Sequence, residues 1–141
     1  MTDPPEDEFA RLNKLTPGTL VELLGIQITA VGERRVTGTL TVRPELLAPN
    51  GFLHAATVIA LADTLCGYGY WVTAPAGSNG FTTIELKANF LGTARAGTLT
   101  GQSTLRHGGR TTQIWDAEVT DEQGKLIALF RCTQLVLYPR T

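Results

Sequence analysis

The stretch GFLHAATVIALADTLCGYGYW, residues 51–71, reads as a nearly apolar helix, yet it opens near a histidine and carries one carboxylate, Asp63, in its middle. An ionised carboxylate is costly to bury without partners, and burial pushes its pKa up toward the range of a general base. No basic residue stands three or four positions from Asp63, so an ion pair within a helix does not explain it. Two readings stand: a reactive acid, or an acceptor of hydrogen bonds from a neighbouring chain's backbone. His54 precedes Asp63 by nine positions. On a helix that is about half a turn out of phase and about 13 Å along the axis. A site that uses both groups therefore needs two copies of the chain. Cys66, one turn beyond Asp63, has no evident histidine partner and reads as packing rather than as a nucleophile.

Periodicity predicts the elements that must position these groups. On the helical wheel Val58, Leu61 and Leu65 form a stripe of large residues that should press on a sheet. Ala56, Ala60, Asp63 and Gly67 share another side. Small residues there suit either a tight helix–sheet contact or the approach of a second chain's helix. TPGTLVELLG reads as a shorter helix, with Thr16 as its cap, Pro17 in its first turn and Gly25 at its end. Alternation predicts strands. Ile26, Ile28 and Ala30 share one face, and beyond a turn at GERR so do Val36, Gly38, Leu40 and Val42. Beyond the TAPAGSNG loop, Ile84, Leu86, Ala88 and Phe90 alternate with Thr83, Glu85, Lys87 and Asn89. Residues 99–105, then Gln113, Trp115, Ala117 and Val119, then LIALFRCTQLVLY complete the set, with turns at HGG and DEQG. The pattern predicts an α+β chain in which about six strands form a curled antiparallel sheet around one long helix. Residues 1–141 are expected to make one domain, with 1–10 as a flexible arm.

Composition narrows the function. A formal net charge of -1 without a Lys/Arg stripe argues against a nucleic-acid partner. The apolar stretch around Asp63 is interrupted and diluted at its ends, which argues against a membrane span. Residues 1–10 are acidic with two prolines, unlike a secretory leader. Two cysteines without metal-like spacing read as buried hydrophobes in a reducing, cytoplasmic setting, with no metal site.

Gly51-Phe52-Leu53-His54-Ala55-Ala56, followed by Leu61-Ala62-Asp63, resembles the signature of hotdog-fold acyl-CoA thioesterases of the phenylacetic-acid-degradation and 4-hydroxybenzoyl-CoA type. The resemblance spans about residues 20–136, and includes NFLGTARAGTL and GRTTQIWDAEVTDEQGKLIA. It implies a hotdog fold, edge-to-edge homodimers that often form homotetramers, and active sites at the dimer interface. The substrate would be an acyl-CoA, with no cofactor beyond the coenzyme A that is part of it. Asp63 would be the catalytic nucleophile or general base, and the Ala55 N–H the oxyanion donor. His54 would orient the loop or hold the carbonyl region, although it suits a helix cap equally well. Asn50 stands nearest to the Asn or Gln that the family places before the histidine, at a shorter offset, and Asn-Gly is also a common turn. Gly51, Ala56 and Gly67 count among the substrate-contacting positions. Asn89 suits the pantetheine channel or an exposed strand face. Arg106, Gly109, Arg110 and Thr111, around the RHGGR turn, suit the phosphates of coenzyme A or a solvated hairpin tip, with Arg95 as a further cation.

The family's two glycines after the histidine are Ala55 and Ala56 here, which keeps the N–H groups and narrows the approach to them. Two alternatives accompany thioester hydrolysis. The same fold hosts hydroxyacyl-thioester dehydratases, although their D-x-N-x-x-H stretch is absent here. A non-catalytic acyl-CoA-binding protein is the other. The acyl group itself is not legible.

Overall fold

The long helix α3 (Ala55–Thr73) lies against the inner face of a six-stranded antiparallel sheet. The structure is a computed structural model that describes residues 6–141. Its strands are β1 (Gln27–Gly32), β2 (Arg35–Thr41), β3 (Gly80–Phe90), β4 (Thr98–Gly108), β5 (Thr112–Thr120) and β6 (Leu126–Leu137). Their order across the sheet is β1-β2-β4-β5-β6-β3. The helix enters between β2 and β3 in the chain and carries it across the sheet, so β3 pairs with the last strand and forms an edge.

The large stripe of α3 is buried as its spacing predicts, with Leu61 and Leu65 at 0% exposure. Burial of one leucine side chain is worth about 1.5–3 kcal/mol. Leu65 seats in a hole made by two glycines paired across β2 and β4, Gly38 and Gly101. A Cβ at Gly38 would stand 2.7 Å from Leu65 Cδ2, and one at Gly101 2.6 Å from Leu65 Cδ1. One apolar cluster runs from Leu12 and Ile26 to Phe130 and Cys132.

Farther along α3, Gly69 rests on the ring of Trp115, which is wholly buried. A Cβ there would come within 2.4 Å of Trp115 Cη2. Glycine to alanine within a helix ordinarily stabilises by about 1 kcal/mol. Here overpacking against a fixed indole, at about 1–3 kcal/mol, opposes that gain. Gly69→Ala is therefore expected to lower the denaturation midpoint, read by urea unfolding of both proteins. An unchanged or raised midpoint would show that Trp115 yields.

Several boundaries differ from expectation. The central helix begins at Ala55 rather than at residue 51, because Gly51 (φ +85°) turns the chain and His54 caps it. The short helix α2 (Leu20–Leu24) starts after Thr19, not Thr16. Thr16 instead bonds to Asn13 O and accepts from Thr19 Oγ1 through its own carbonyl, and Pro17 lies in the preceding turn. Gly25 ends α2 in the left-handed conformation as foreseen. Residues 6–10 belong to a helix, α1 (Glu6–Asn13); residues 1–5 of the expected arm lie outside the described residues. On β3 a bulge between Thr83 and Glu85 breaks the alternation. Ile84 is left 56% exposed, and Leu86 and Phe90 stay exposed although they pair with the buried Cys132 and Ala128.

Candidate active site

The tip of α3 is built by a turn, a cap and a clasp. Asn50 Oδ1 accepts from the Phe52 N–H (3.2 Å), and the Gly51 N–H donates to Ala48 O (2.9 Å). The Leu53 N–H donates to Thr93 Oγ1 (3.2 Å). His54 Nδ1 accepts from the Ala56 N–H (2.9 Å), and His54 O accepts from the Thr57 N–H (2.9 Å). An imidazole nitrogen that accepts carries no proton, so the hydrogen of the neutral ring sits on Nε2. The Ala55 N–H is left without a hydrogen-bond partner among the described residues, on an exposed residue at the positive end of the helix.

Asp63 sits half-buried on the side of α3 that faces β3, where Thr83 Oγ1 donates to its Oδ1 (3.1 Å). Burial pushes the Asp63 carboxyl up from its ordinary 3.8, and the Thr83 hydrogen bond opposes part of that rise. The small-residue side of the helix divides in two. Gly67 is covered by β3 of its own chain, for a Cβ there would meet Phe81 Cζ at 2.9 Å. Ala56 is exposed and Ala60 half-buried, so the stripe is open toward the tip. Cys66 is buried, its thiol pushed well up by burial and by the adjacent Cys132, which suits packing rather than attack.

The other expected residues fall in three places. Asn50, Gly51, His54, Ala55 and Ala56 gather at the helix tip, and the Arg95 guanidinium joins them, 4.8 Å over the Phe52 ring. Gly109, Arg110 and Thr111 form the β4–β5 turn near the opposite end of α3. There a cleft of about 480 Å³ is lined by Glu33, Arg34, Thr73, Gly109 and Arg110. Arg110 lies 5.9 Å over the Tyr138 ring, whose hydroxyl donates to Arg110 O. Asn89 and Arg106 are brought to neither place. They point from the outer face of the sheet, where Arg106 pairs with Asp116 (3.4 Å) and Asn89 borders a hollow with Lys87 and Arg131. Asp116 is held below its ordinary range chiefly by hydrogen bonds from Arg131, against an opposing effect of burial.

Thr83, the neighbour of the carboxylate, was not legible in the sequence. Alternation groups it with Glu85, Lys87 and Asn89, but the bulge turns Thr83 inward beside the buried Gln134 and those three outward. Among the described residues no three His, Cys, Asp or Glu side chains are grouped to hold a metal, and no helix is long and apolar enough to cross a membrane.

A curled antiparallel sheet with one long helix laid across its inner face is the hotdog fold. Solved structures share this shape: a thioesterase from Pseudomonas aeruginosa superposes with a TM-score of 0.88 over 96% of each chain, at 27% identity. Residues 50–128 match the family described as the thioesterase superfamily, and the chain belongs to it. It is a thioesterase; hydrolysis, rather than dehydration or passive binding, is the chemistry of that family. A Pasteurella multocida protein bearing an esterase name is 33% identical over 124 residues, 87% of this chain and 88% of that one. A 1,4-dihydroxy-2-naphthoyl-CoA hydrolase of Listeria monocytogenes is 32% identical over 114 residues, 81% of this chain and 92% of that one.

Proposed function

We propose that this thioesterase hydrolyses acyl-CoA thioesters in a site shared by two copies of the chain. The observation that carries this reading is the free Ala55 N–H on the same helix as Asp63. They stand eight positions apart, about 12 Å of axial rise, so no single carbonyl reaches both within one chain. A copy related by a twofold axis supplies the missing partner, and the exposed apolar edge strand β3 offers the surface for it. The minimal unit is a homodimer, and a homotetramer extends it.

In this reading the thioester carbonyl oxygen meets the Ala55 N–H of one protomer, with His54 beside it. The partner's Asp63 faces the carbonyl carbon. Along one route Asp63 takes a proton from water, the water oxygen bonds to the carbonyl carbon, and the C–S bond breaks to release the thiolate. Along the other, an Asp63 carboxylate oxygen bonds to the carbonyl carbon, the C–S bond breaks to release the thiolate, and water then opens the mixed anhydride to free acid and Asp63. A thiol of pKa about 8.5 leaves without a strong acid, so an oxyanion donor and one carboxylate suffice. Thr83 holds Asp63 Oδ1 and leaves the other carboxylate oxygen for the reaction. No cofactor is required, since coenzyme A belongs to the substrate. Gly51 and Ala56 border the acyl path, and Gly67, covered by Phe81, does not. Release of free thiol from a panel of acyl-CoA esters tests the activity; no release from any of them would reject it.

The Arg110 turn is assigned to the coenzyme A phosphates, with Gly109 and Thr111 beside it. Arg110→Ala is expected to raise KM for coenzyme A esters by up to roughly tenfold, about 1.4 kcal/mol. KM for short acyl-pantetheine esters should not change. Equal effects on both would remove Arg110 from phosphate recognition.

A further inference from the structure

Thr57 is a buried hydroxyl in the first turn of α3 that the reaction described above does not use. It is 6% exposed, and its Oγ1 donates to the Leu46 carbonyl at 2.9 Å. The same carbonyl accepts the His54 N–H at 3.2 Å. One oxygen therefore grips the helix on both sides of Ala55. That oxygen is itself held in a frame. It ends the short 3-10 turn Pro44–Leu46, whose Leu46 N–H donates to Arg43 O (2.9 Å). The Arg43 guanidinium in turn donates to Leu23 O (2.5 Å) and Leu24 O (3.3 Å) at the end of α2. A threonine within a helix commonly bonds back to a carbonyl of its own preceding turn. This one reaches out of the helix, eleven residues back along the chain, to Leu46.

We propose that Thr57 is a positioning residue for thioester hydrolysis: its hydroxyl fixes the first turn of α3 against Leu46, and so sets the direction in which the Ala55 N–H points. This rests on the assignment of that N–H as the oxyanion donor. An oxyanion donor works through pre-set direction, and a displacement of about 1 Å in such a group can cost about a hundredfold in rate. Valine has nearly the shape of threonine and lacks the hydroxyl. Leu46 O keeps its His54 partner when the hydroxyl is removed, so the fold loses one hydrogen bond while the tip loses its second anchor.

The test compares Thr57→Val, Thr57→Ser and wild type in the full-length assembly. Thr57→Val is expected to lower kcat by roughly 10–100-fold with KM within about threefold, and Thr57→Ser to restore kcat to within about threefold of wild type. An S-alkyl coenzyme A thioether has no carbonyl to feel the amide, so its affinity should be the same in all three proteins. If Thr57→Val does not fold, as judged by circular dichroism, Thr57→Ala takes its place, since it removes the same hydroxyl without adding bulk. Three results would overturn the inference: full kcat without the hydroxyl, a serine variant as impaired as valine, or a thioether affinity that falls in step with kcat. Asp63→Asn separates this failure from that of the reading beneath it. Turnover that survives Asp63→Asn overturns the proposed site. An inactive Asp63→Asn beside a fully active Thr57→Val overturns the role of Thr57 alone.

Discussion

Asp63→Asn is expected to lower kcat by about 10²–10⁴-fold, with a smaller change in KM. The substitution keeps the shape and an oxygen that can accept from Thr83 Oγ1, and it removes the base and nucleophile together. The same change should stabilise the protein. Burial raises the Asp63 carboxyl above its ordinary 3.8, so the folded chain holds that proton more tightly than the unfolded chain. Stability from this group is gained as pH falls through the raised value, and a penalty for the buried charge is complete above it. At neutral pH, where the wild type carries that penalty, Asp63→Asn should melt at a higher temperature, and the difference should shrink as pH is lowered through the raised pKa. The ionised form is the reactive one. In the wild type kcat/KM should therefore rise with pH along an acid limb whose midpoint lies above 3.8, and then level. Kinetics between pH 4 and 8 and thermal melts of both proteins check the pair. Undiminished turnover, or a variant that melts lower at pH 7, would contradict the assignment.

Ala55→Pro is expected to lower kcat by about 10²–10³-fold, equivalent to about 2.7–4 kcal/mol of transition-state stabilisation, because it deletes one oxyanion donor. Proline is well suited to this purpose here. Ala55 is the first residue of α3, where proline is tolerated and its fixed φ matches the helix. The preceding residue, His54, already has the extended conformation (φ -65°, ψ 134°) that proline demands of its neighbour. The Ala55 N–H has no partner among the described residues, so no hydrogen bond of the chain is lost. Ala55→Gly, which keeps the N–H, should stay close to wild type. Circular dichroism and thiol-release kinetics of the three proteins provide the check. Loss of activity in the glycine variant as well would point to the methyl group and not the amide.

The parts of this architecture that the sequence discloses are those governed by a simple period. Val58, Leu61 and Leu65 repeat at helical spacing, and each is buried where that spacing puts it. Gly38 and Gly101 stand on the inward faces of their strands, but the leucine that fills the hole between them comes from another element, and no local pattern names it. Asp63 is legible as the one charge in an apolar helix, and the distance between it and the helix tip is legible as a count of residues. The bulge in β3 is not. A single unpaired residue reverses which side chains face the helix, and Thr83 meets Asp63 only because of it. Asn50 shows the converse case, where a residue weighed for chemistry closes a turn through its own side chain. His54 does cap its helix, as its position allows, and that capping leaves one amide over. Thr57 carries no signal in sequence, because its partner Leu46 lies in a separate element and offers only a backbone oxygen.

Mixing two disabled chains tests the shared site most directly. Asp63→Asn retains a working helix tip, and Ala55→Pro retains a working carboxylate. When the two are unfolded together and refolded at equal amounts, half of the dimers formed by chance are mixed, and one of the two sites in each mixed dimer is intact. Thiol release should then climb from near zero for either chain alone to about one quarter of the wild-type rate. Activity that stays at the level of the separate variants, in a preparation shown by mass spectrometry to contain mixed dimers, would mean that each chain works with its own amide and its own acid.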